Sequence, residues 1–207
     1  MTTAFTDGAA MWNQRFAGAD YLFGREPNEY LRAQAPVLAP GGRTLCVADG
    51  EGRNSVWLAR QGLKVEAFDI AEAGVAKARK LAAESGVTVD FHIAGCDDWA
   101  WSADVHDAVV AVFVQFADPA MRSRLFANMA RTLKPGGVLI LQGYTPKQLD
   151  YKTGGPSVLS HLYTADLLRE AFASMETIEL VEYEAELSEG ARHTGLSALI
   201  GFVGRKR

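Results

Sequence analysis

The sequence predicts an α/β fold: a three-layer sandwich around a seven-stranded, mostly parallel sheet that ends in an antiparallel hairpin. Three observations carry this reading. From Arg43 onward, short apolar runs alternate with segments of helical periodicity, as in a parallel sheet covered by helices on both faces. Near the end of the chain the alternation stops, and two strand-like runs are separated by a polar, glycine-containing turn with no helix between them. Finally, the first apolar run opens into a glycine turn, and the second ends on an acid, Asp69, nineteen residues after Gly50.

The elements follow in order. Met11 to Pro36 is rich in aromatics (Trp12, Phe16, Tyr21, Phe23 and Tyr30) and is broken by Gly24 and Pro27, so it reads as two short helices and a turn. Residues 1–10 are small and polar and read as disordered at their start. Pro40-Gly41-Gly42 marks the boundary to the first core strand. Strands are expected at 43–48, 64–69, 88–93, 107–113 and 137–143. Helices are expected at 53–61, 71–84 and 119–132. In the second of these, Val75, Ala78, Leu81 and Ala82 recur at three- and four-residue spacing, and Lys77, Arg79 and Lys80 fall on the opposite side. A loop rich in Pro, Gly and Tyr at 144–160 precedes a helix near 164–173. Strands at 177–187 and 196–204, joined by a turn at 188–195, close the fold.

Composition narrows the class. The chain has 207 residues, 48% of them hydrophobic and 22% charged, enough for a sizeable core. A net charge of −4, with no basic cluster denser than the terminal Arg205-Lys206-Arg207, argues against a nucleic-acid partner. No apolar run has the length of a membrane span, and the start lacks a signal pattern, so the expected location is cytoplasmic. The two cysteines, Cys46 and Cys96, suit neither a disulfide framework nor a zinc site, and no metal is expected.

The chemistry concentrates in Val47-Ala48-Asp49-Gly50-Glu51-Gly52-Arg53-Asn54. Glycines let backbone approach a ligand where a Cβ would collide. An acid at the tip of the second strand can accept hydrogen bonds from a ribose diol. The dinucleotide fingerprint needs a third glycine where this chain has Ser55, and a pyrophosphate would meet the carboxylates of Asp49 and Glu51. Those charges favour a cation. S-adenosylmethionine (SAM), with a sulfonium, an ammonium and no phosphate, suits the loop better than NAD.

The loop with Asp69, the turn Leu133-Lys134-Pro135-Gly136-Gly137, and the N-terminal Trp12-x-x-Arg15-Phe16 with Tyr21-x-x-Gly24 and Pro27-Asn28 together resemble the class I SAM-dependent methyltransferases. Within them, the chain looks most like the small-molecule branch of tellurite-resistance and thiopurine-type enzymes. The resemblance runs from about Met11 to Lys206. It implies a Rossmann-like fold, with residues 1–40 as cap helices over the active site and 41–207 as the SAM-binding domain, in one compact unit. It implies a cofactor site of Ala48, Asp49, Gly50, Gly52, Asn54, Asp69, Ile70, Cys96, Asp97, Trp99, Val112 and Phe113. Within that site, Asp97, with Gly95 at the aligned position and Asp98 as neighbouring alternatives, is expected at the adenine amino group, the Cys96 N–H at the adenine ring, and Trp99 over its face. Two departures stand out. Cys46 replaces a frequent acid and Ala48 a frequent glycine, which leaves Asp49 to meet the SAM ammonium.

Three residues are candidates for catalysis, each with a plainer alternative. Gln115 orients a nucleophile or is a satisfied loop amide. His193 takes a proton or is an exposed turn histidine. Tyr21, with Trp12 and Phe23, lids the sulfonium or staples the N-terminal helix. Arg15 meets an anion or is solvated, and His92 and His106 read as structural. The expected reaction is in-line methyl transfer to a small acceptor such as a thiol or a metalloid oxyanion. The alternatives are a SAM-binding protein without transfer, or a methyltransferase for a protein or RNA. The chain is expected to act as a monomer or homodimer, without nucleic acid or membrane.

Overall fold

The computed structural model describes residues 3–190 and 193–207. Seven strands form one sheet: β1 (Arg43–Val47), β2 (Lys64–Asp69), β3 (Asp90–Ile93), β4 (His106–Val112), β5 (Leu133–Tyr144), β6 (Met175–Glu189) and β7 (His193–Lys206). Their order is β3-β2-β1-β4-β5-β7-β6. The first five pair in parallel, and β7 pairs antiparallel with both β5 and β6. The strand order reverses between β1 and β4, and in such sheets the crevice beyond the strands' C-terminal ends is where ligands bind.

Alternation along the strands builds two cores. Leu45 and Val47 of β1 and Val109 and Ala111 of β4 face one side, against α5 (Pro119–Thr132) and α7 (Ala165–Ala171) through Leu125, Met129, Leu168 and Phe172. Cys46 and Val110 face the other side, against α3 (Arg53–Arg60) and α4 (Glu72–Glu84) through Val56, Leu58, Val75 and Ala78. The helical spacing read in 71–84 is therefore the buried stripe of α4.

Several boundaries differ from expectation. Helix α1 spans Thr3–Phe16, so it begins well before Met11; Met1 and Thr2, part of the start expected to lack order, lie outside the described residues. Helix α2 (Glu29–Ala33) is capped by Asn28, whose side chain accepts from the Leu31 N–H, and a 3-10 turn at Ala35–Val37 follows. Tyr30 of α2 docks this segment on the sheet. Its ring occupies the space where a Cβ on Gly201 would lie only 2.3 Å away, and its hydroxyl donates to Glu179 at 2.8 Å. The Lys134–Gly137 segment is a bulge within β5 rather than a turn before it. Pairing jumps from His106↔Leu133 to Ala108↔Val138, and Gly136 takes φ 80° to allow this. The 144–160 segment contains the short helix α6 (Gln148–Tyr151) and leads into a 3-10 turn at Leu159–His161.

The terminal hairpin is longer than its apolar pattern. Charged and neutral residues alternate along β6, which forms the sheet's edge, so hydropathy understates its length. Strand pairing reaches Glu189↔His193, and of the expected turn, Ala191 and Arg192 lie outside the described residues. His193 consequently stands on a strand and is half-buried, not on an exposed turn. Among the described residues, no helix is long and apolar enough to cross a membrane.

Candidate cofactor and acceptor site

A cavity of about 540 Å³ opens at the C-terminal ends of β1, β2 and β4. Its wall includes Ala48, Asp49, Gly50, Asn54, Asp69, Ile70, Cys96, Asp97, Val112, Phe113 and His193. The N-terminal segment contributes Met11, Trp12, Phe16 and Phe23.

The glycine loop is shaped for close approach. Ala48 (φ 49°), Gly50 (φ 62°) and Gly52 (φ 88°) all adopt left-handed backbone. Asp69 ties the loop to β2: its carboxylate accepts from the Gly50 N–H at 2.9 Å and the Ala71 N–H at 2.8 Å. Burial raises the carboxyl's pKa, against those backbone donors. A carboxylate offers about four acceptor sites, so two remain for a diol.

Gly52 does not reach the cavity. It lets α4 pack under the loop, where a Cβ would lie 2.6 Å from the Ala78 Cβ. Gly52→Ala is expected to cost about 2–4 kcal/mol, from overpacking and left-handed strain together, read as a lower urea midpoint.

The two acids of the loop separate. Asp49 stays half-buried at the cavity, where it accepts from the Ser55 hydroxyl. Burial pushes its carboxyl up to about 7, with nearby Asp69 adding to the shift. Glu51 turns away. It accepts from the Leu22 N–H and pairs with Lys77, both at 2.7 Å, and so pins the N-terminal segment to α4. The charge argument against a pyrophosphate therefore rests on Asp49 and Asp69.

Four expected site residues do not reach the cavity wall as proposed. Besides Gly52, Trp99 stacks on Phe68 (centroids 4.6 Å apart), underneath the wall that Phe68 forms. Tyr21 donates to the Lys77 carbonyl at 3.2 Å and packs beneath Lys77 and Arg25, because α4 offers it a partner and a cation. Gln115 is 2% exposed. Its amide donates to the Tyr144 and His161 carbonyls and accepts from the Tyr144 N–H, so both of its N–H donors are spent on joining the end of β4 to β5 and the loop after it. Asp97 lines the cavity but is held by Arg124 at 2.7 Å, with Asp98 beside it on the wall. Arg15 stacks its guanidinium on Trp12, 4.7 Å from the ring centre. Trp12 also lines the cavity while stacking on Phe16.

The unforeseen part of the site is a buried polar network. Glu189, at the end of β6, accepts from Arg53 of α3 at 2.6 Å and from the Asn28 amide at 2.9 Å. Asn28 also donates to Gln142 at 2.6 Å, and its backbone N–H donates to the side-chain Oδ1 of Asn54 at 2.9 Å. Burial opposes the Glu189 charge, yet His193 and Arg53 hold its carboxyl down at about 2. Pro27-Asn28 and Arg53-Asn54 belong to the N-terminal and glycine-loop motifs, but nothing local signals that they meet Glu189. Phe113 is also strained, at φ 57°. Strain of this kind clusters at functional sites. Its ring stacks on Tyr144 and meets His193 edge-on at 4.3 Å.

One histidine–carboxylate grouping escapes the linear sequence: Glu66, Asp90 and His92 offer ligand atoms within 4.8 Å of one another, away from the cavity wall. The second oxygen of Glu66 is committed to His106 at 2.9 Å and Arg43 at 3.1 Å.

Residues 45–137 match the family described as a methyltransferase domain. The matched segment runs from β1 into the bulge of β5, and so contains the glycine loop and Asp69 at the switch point of the sheet. Among proteins it resembles, ubiquinone biosynthesis O-methyltransferase of Xanthomonas campestris pv. campestris is 37% identical over 116 residues, 55% of this chain and 46% of that protein. The match thus spans less than half the length of that relative. Among solved structures, the N-methyltransferase NodS from Bradyrhizobium japonicum, in complex with S-adenosylhomocysteine, superposes with a TM-score of 0.73 at 12% identity, over 96% of this chain and 97% of NodS. TehB from Haemophilus influenzae gives 0.71 at 17% identity, over 96% and 67%. At these identities the likeness is one of fold.

Proposed function

We propose that the chain is a methyltransferase that binds SAM in this cavity and transfers its methyl group to a small molecule. The observation that carries the reading is the arrangement of Asp69, which pins Gly50 beside the cavity while its spare lone pairs stay available to a ribose diol. Asp49, in the absent acid's neighbourhood, meets the SAM ammonium. The Cys96–Asp98 turn meets the adenine, with Asp97 as acceptor and Asp98 as the adjacent choice. SAM supplies an electrophilic methyl group; the protein holds donor and acceptor in line and excludes water beneath the N-terminal aromatics. Residues 1–40 act as the cap. The match to an O-methyltransferase supports a small-molecule acceptor, and thiols and metalloid oxyanions are the further classes that the resemblance to the tellurite-resistance and thiopurine branch suggests.

Calorimetric titration with SAM, S-adenosylhomocysteine and NAD tests the cofactor. Adenosyl binding with none of NAD is expected; tighter NAD binding overturns the proposal.

The Asp49 carboxyl makes that affinity pH-dependent. A cationic ligand selects the ionised form, so SAM should bind roughly tenfold more weakly at pH 6 than at pH 8, and Asp49→Asn should flatten the profile. In the ligand-free chain the sign reverses. A raised carboxyl contributes stability in full below its ordinary value near 3.8, and this is lost as pH rises through about 7.

A further inference from the structure

The cavity wall says more about the acceptor, on the reading that SAM binds here. Phe23, Phe113 and Phe116, with Met11 and Met121, supply large apolar surface. Phe116 and Met11 are 38% and 42% exposed, so this surface continues from the interior to the rim. Charge on the wall runs against an anion. Among the described residues it carries the carboxylates of Asp49, Asp69, Asp97 and Asp98 and one cation, Arg53. Asp97 is offset by Arg124, but Arg53 is itself committed to Glu189. With Arg53 held by Glu189, the described wall offers an oxyanion no cation that is not already engaged.

Besides Asp49, which is given to the SAM ammonium, the wall carries His193 as a group able to take a proton near neutrality. Its ring sits between Phe23 (4.6 Å) and Phe113 (4.3 Å), and its Nδ1 is buried 3.9 Å from the Glu189 carboxylate. With Nδ1 toward Glu189, Nε2 is the nitrogen left for a ligand in the cavity that the residue lines. The Nδ1–Glu189 separation is longer than a hydrogen bond, as such orienting contacts often are without ligand.

We infer that the acceptor is an uncharged molecule with an apolar, ring-sized body and one protonated hydroxyl or thiol, and that His193 takes its proton during transfer. The acceptor's oxygen or sulfur lone pair forms the new bond to the methyl carbon. The S–CH3 bond breaks, leaving its electron pair on the donor's sulfur as a neutral thioether. The acceptor's proton passes to Nε2 of His193 and then to solvent. The groups facing His193 are Glu189 from β6, Arg53 from α3 and the Tyr144 ring from β5. Burial lowers the imidazole's pKa and Arg53 reinforces this against Glu189, so the ring is neutral and able to accept at pH 7.

The test uses the full chain with 2-naphthol, benzyl mercaptan and sodium selenite as probes. Calorimetry on protein saturated with S-adenosylhomocysteine should show 2-naphthol binding and no selenite binding. S-adenosylhomocysteine formation should appear with 2-naphthol or benzyl mercaptan. His193→Ala should retain SAM affinity and lose roughly a hundredfold in kcat/KM. Its pH profile should follow the acceptor's own ionisation, and added imidazole should restore part of the rate. Turnover of selenite without either apolar probe overturns the inference. So does SAM binding with no turnover of any probe, or a His193→Ala variant with unchanged rate and pH profile. Failure of the wild type to bind SAM overturns the cofactor proposal instead.

Discussion

Replacing Asp69 with alanine is expected to weaken SAM binding by about 1.5–3 kcal/mol, roughly ten- to 150-fold in Kd. Two losses combine. The ribose diol loses its charged acceptor, and the N–H groups of Gly50 and Ala71 lose the oxygen that holds the glycine loop against β2. Asp69→Asn separates them. One amide oxygen can still accept, but the NH2 group opposes a second donor, so Asn should fall between wild type and Ala. Titration calorimetry on the three proteins reads the series, and equal affinity across it would remove Asp69 from the ribose. Because the side chain is 7% exposed, the thermal midpoint should be recorded beside the affinity.

The second large effect is on stability. Glu189→Gln should destabilise the fold by about 3–5 kcal/mol, because it leaves the Arg53 guanidinium buried without a counter-charge. For a chain of this length that is a fall of roughly 10 °C in Tm. Arg53 and Glu189 are 8% and 6% exposed at their side chains, so solvent cannot compensate. The pH dependence has a definite sign. Glu189 is depressed to about 2 from an ordinary 4.5, so its contribution is present above about 4.5 and lost as pH falls through about 2. Urea unfolding at pH 7 and at pH 3 should show the two proteins closer together at the lower pH. A Gln variant as stable as wild type at pH 7 would show that the network does not hold the hairpin to α3 and the N-terminal segment.

The two experiments probe parts of the site that were unequally legible. Asp69 and the glycines follow from neighbours in the chain. An apolar run predicts a strand, the glycines predict its exit, and an acid ending the next parallel strand must stand at the same edge of the sheet. The β1–β2 register, with Val47 opposite Phe68, puts them there. Glu189 could not be read this way. Its partners lie 136 and 161 residues earlier in the chain, and they meet only when β6 lies along β7 and the N-terminal segment docks on the sheet. Gln115, Tyr21 and Trp99 show the converse. Each has side-chain chemistry suited to a site and stands in the right stretch of sequence. Yet backbone carbonyls, the flank of a helix or a neighbouring ring claims it, because polar groups are satisfied wherever a partner lies.

What the sequence by itself determined is the α/β alternation, the terminal hairpin, the glycine loop and the acid beside it. Hydrophobic period, turn chemistry and strand-end position are local properties, written within a few residues of where they act. Only the tertiary structure decided which side chains face the cavity: that Asp49 enters it while Glu51 leaves, that His193 stands on a strand between two phenylalanines, and that one carboxylate ties three distant segments together. A side chain's direction is settled by competition among partners that chain folding alone brings within reach.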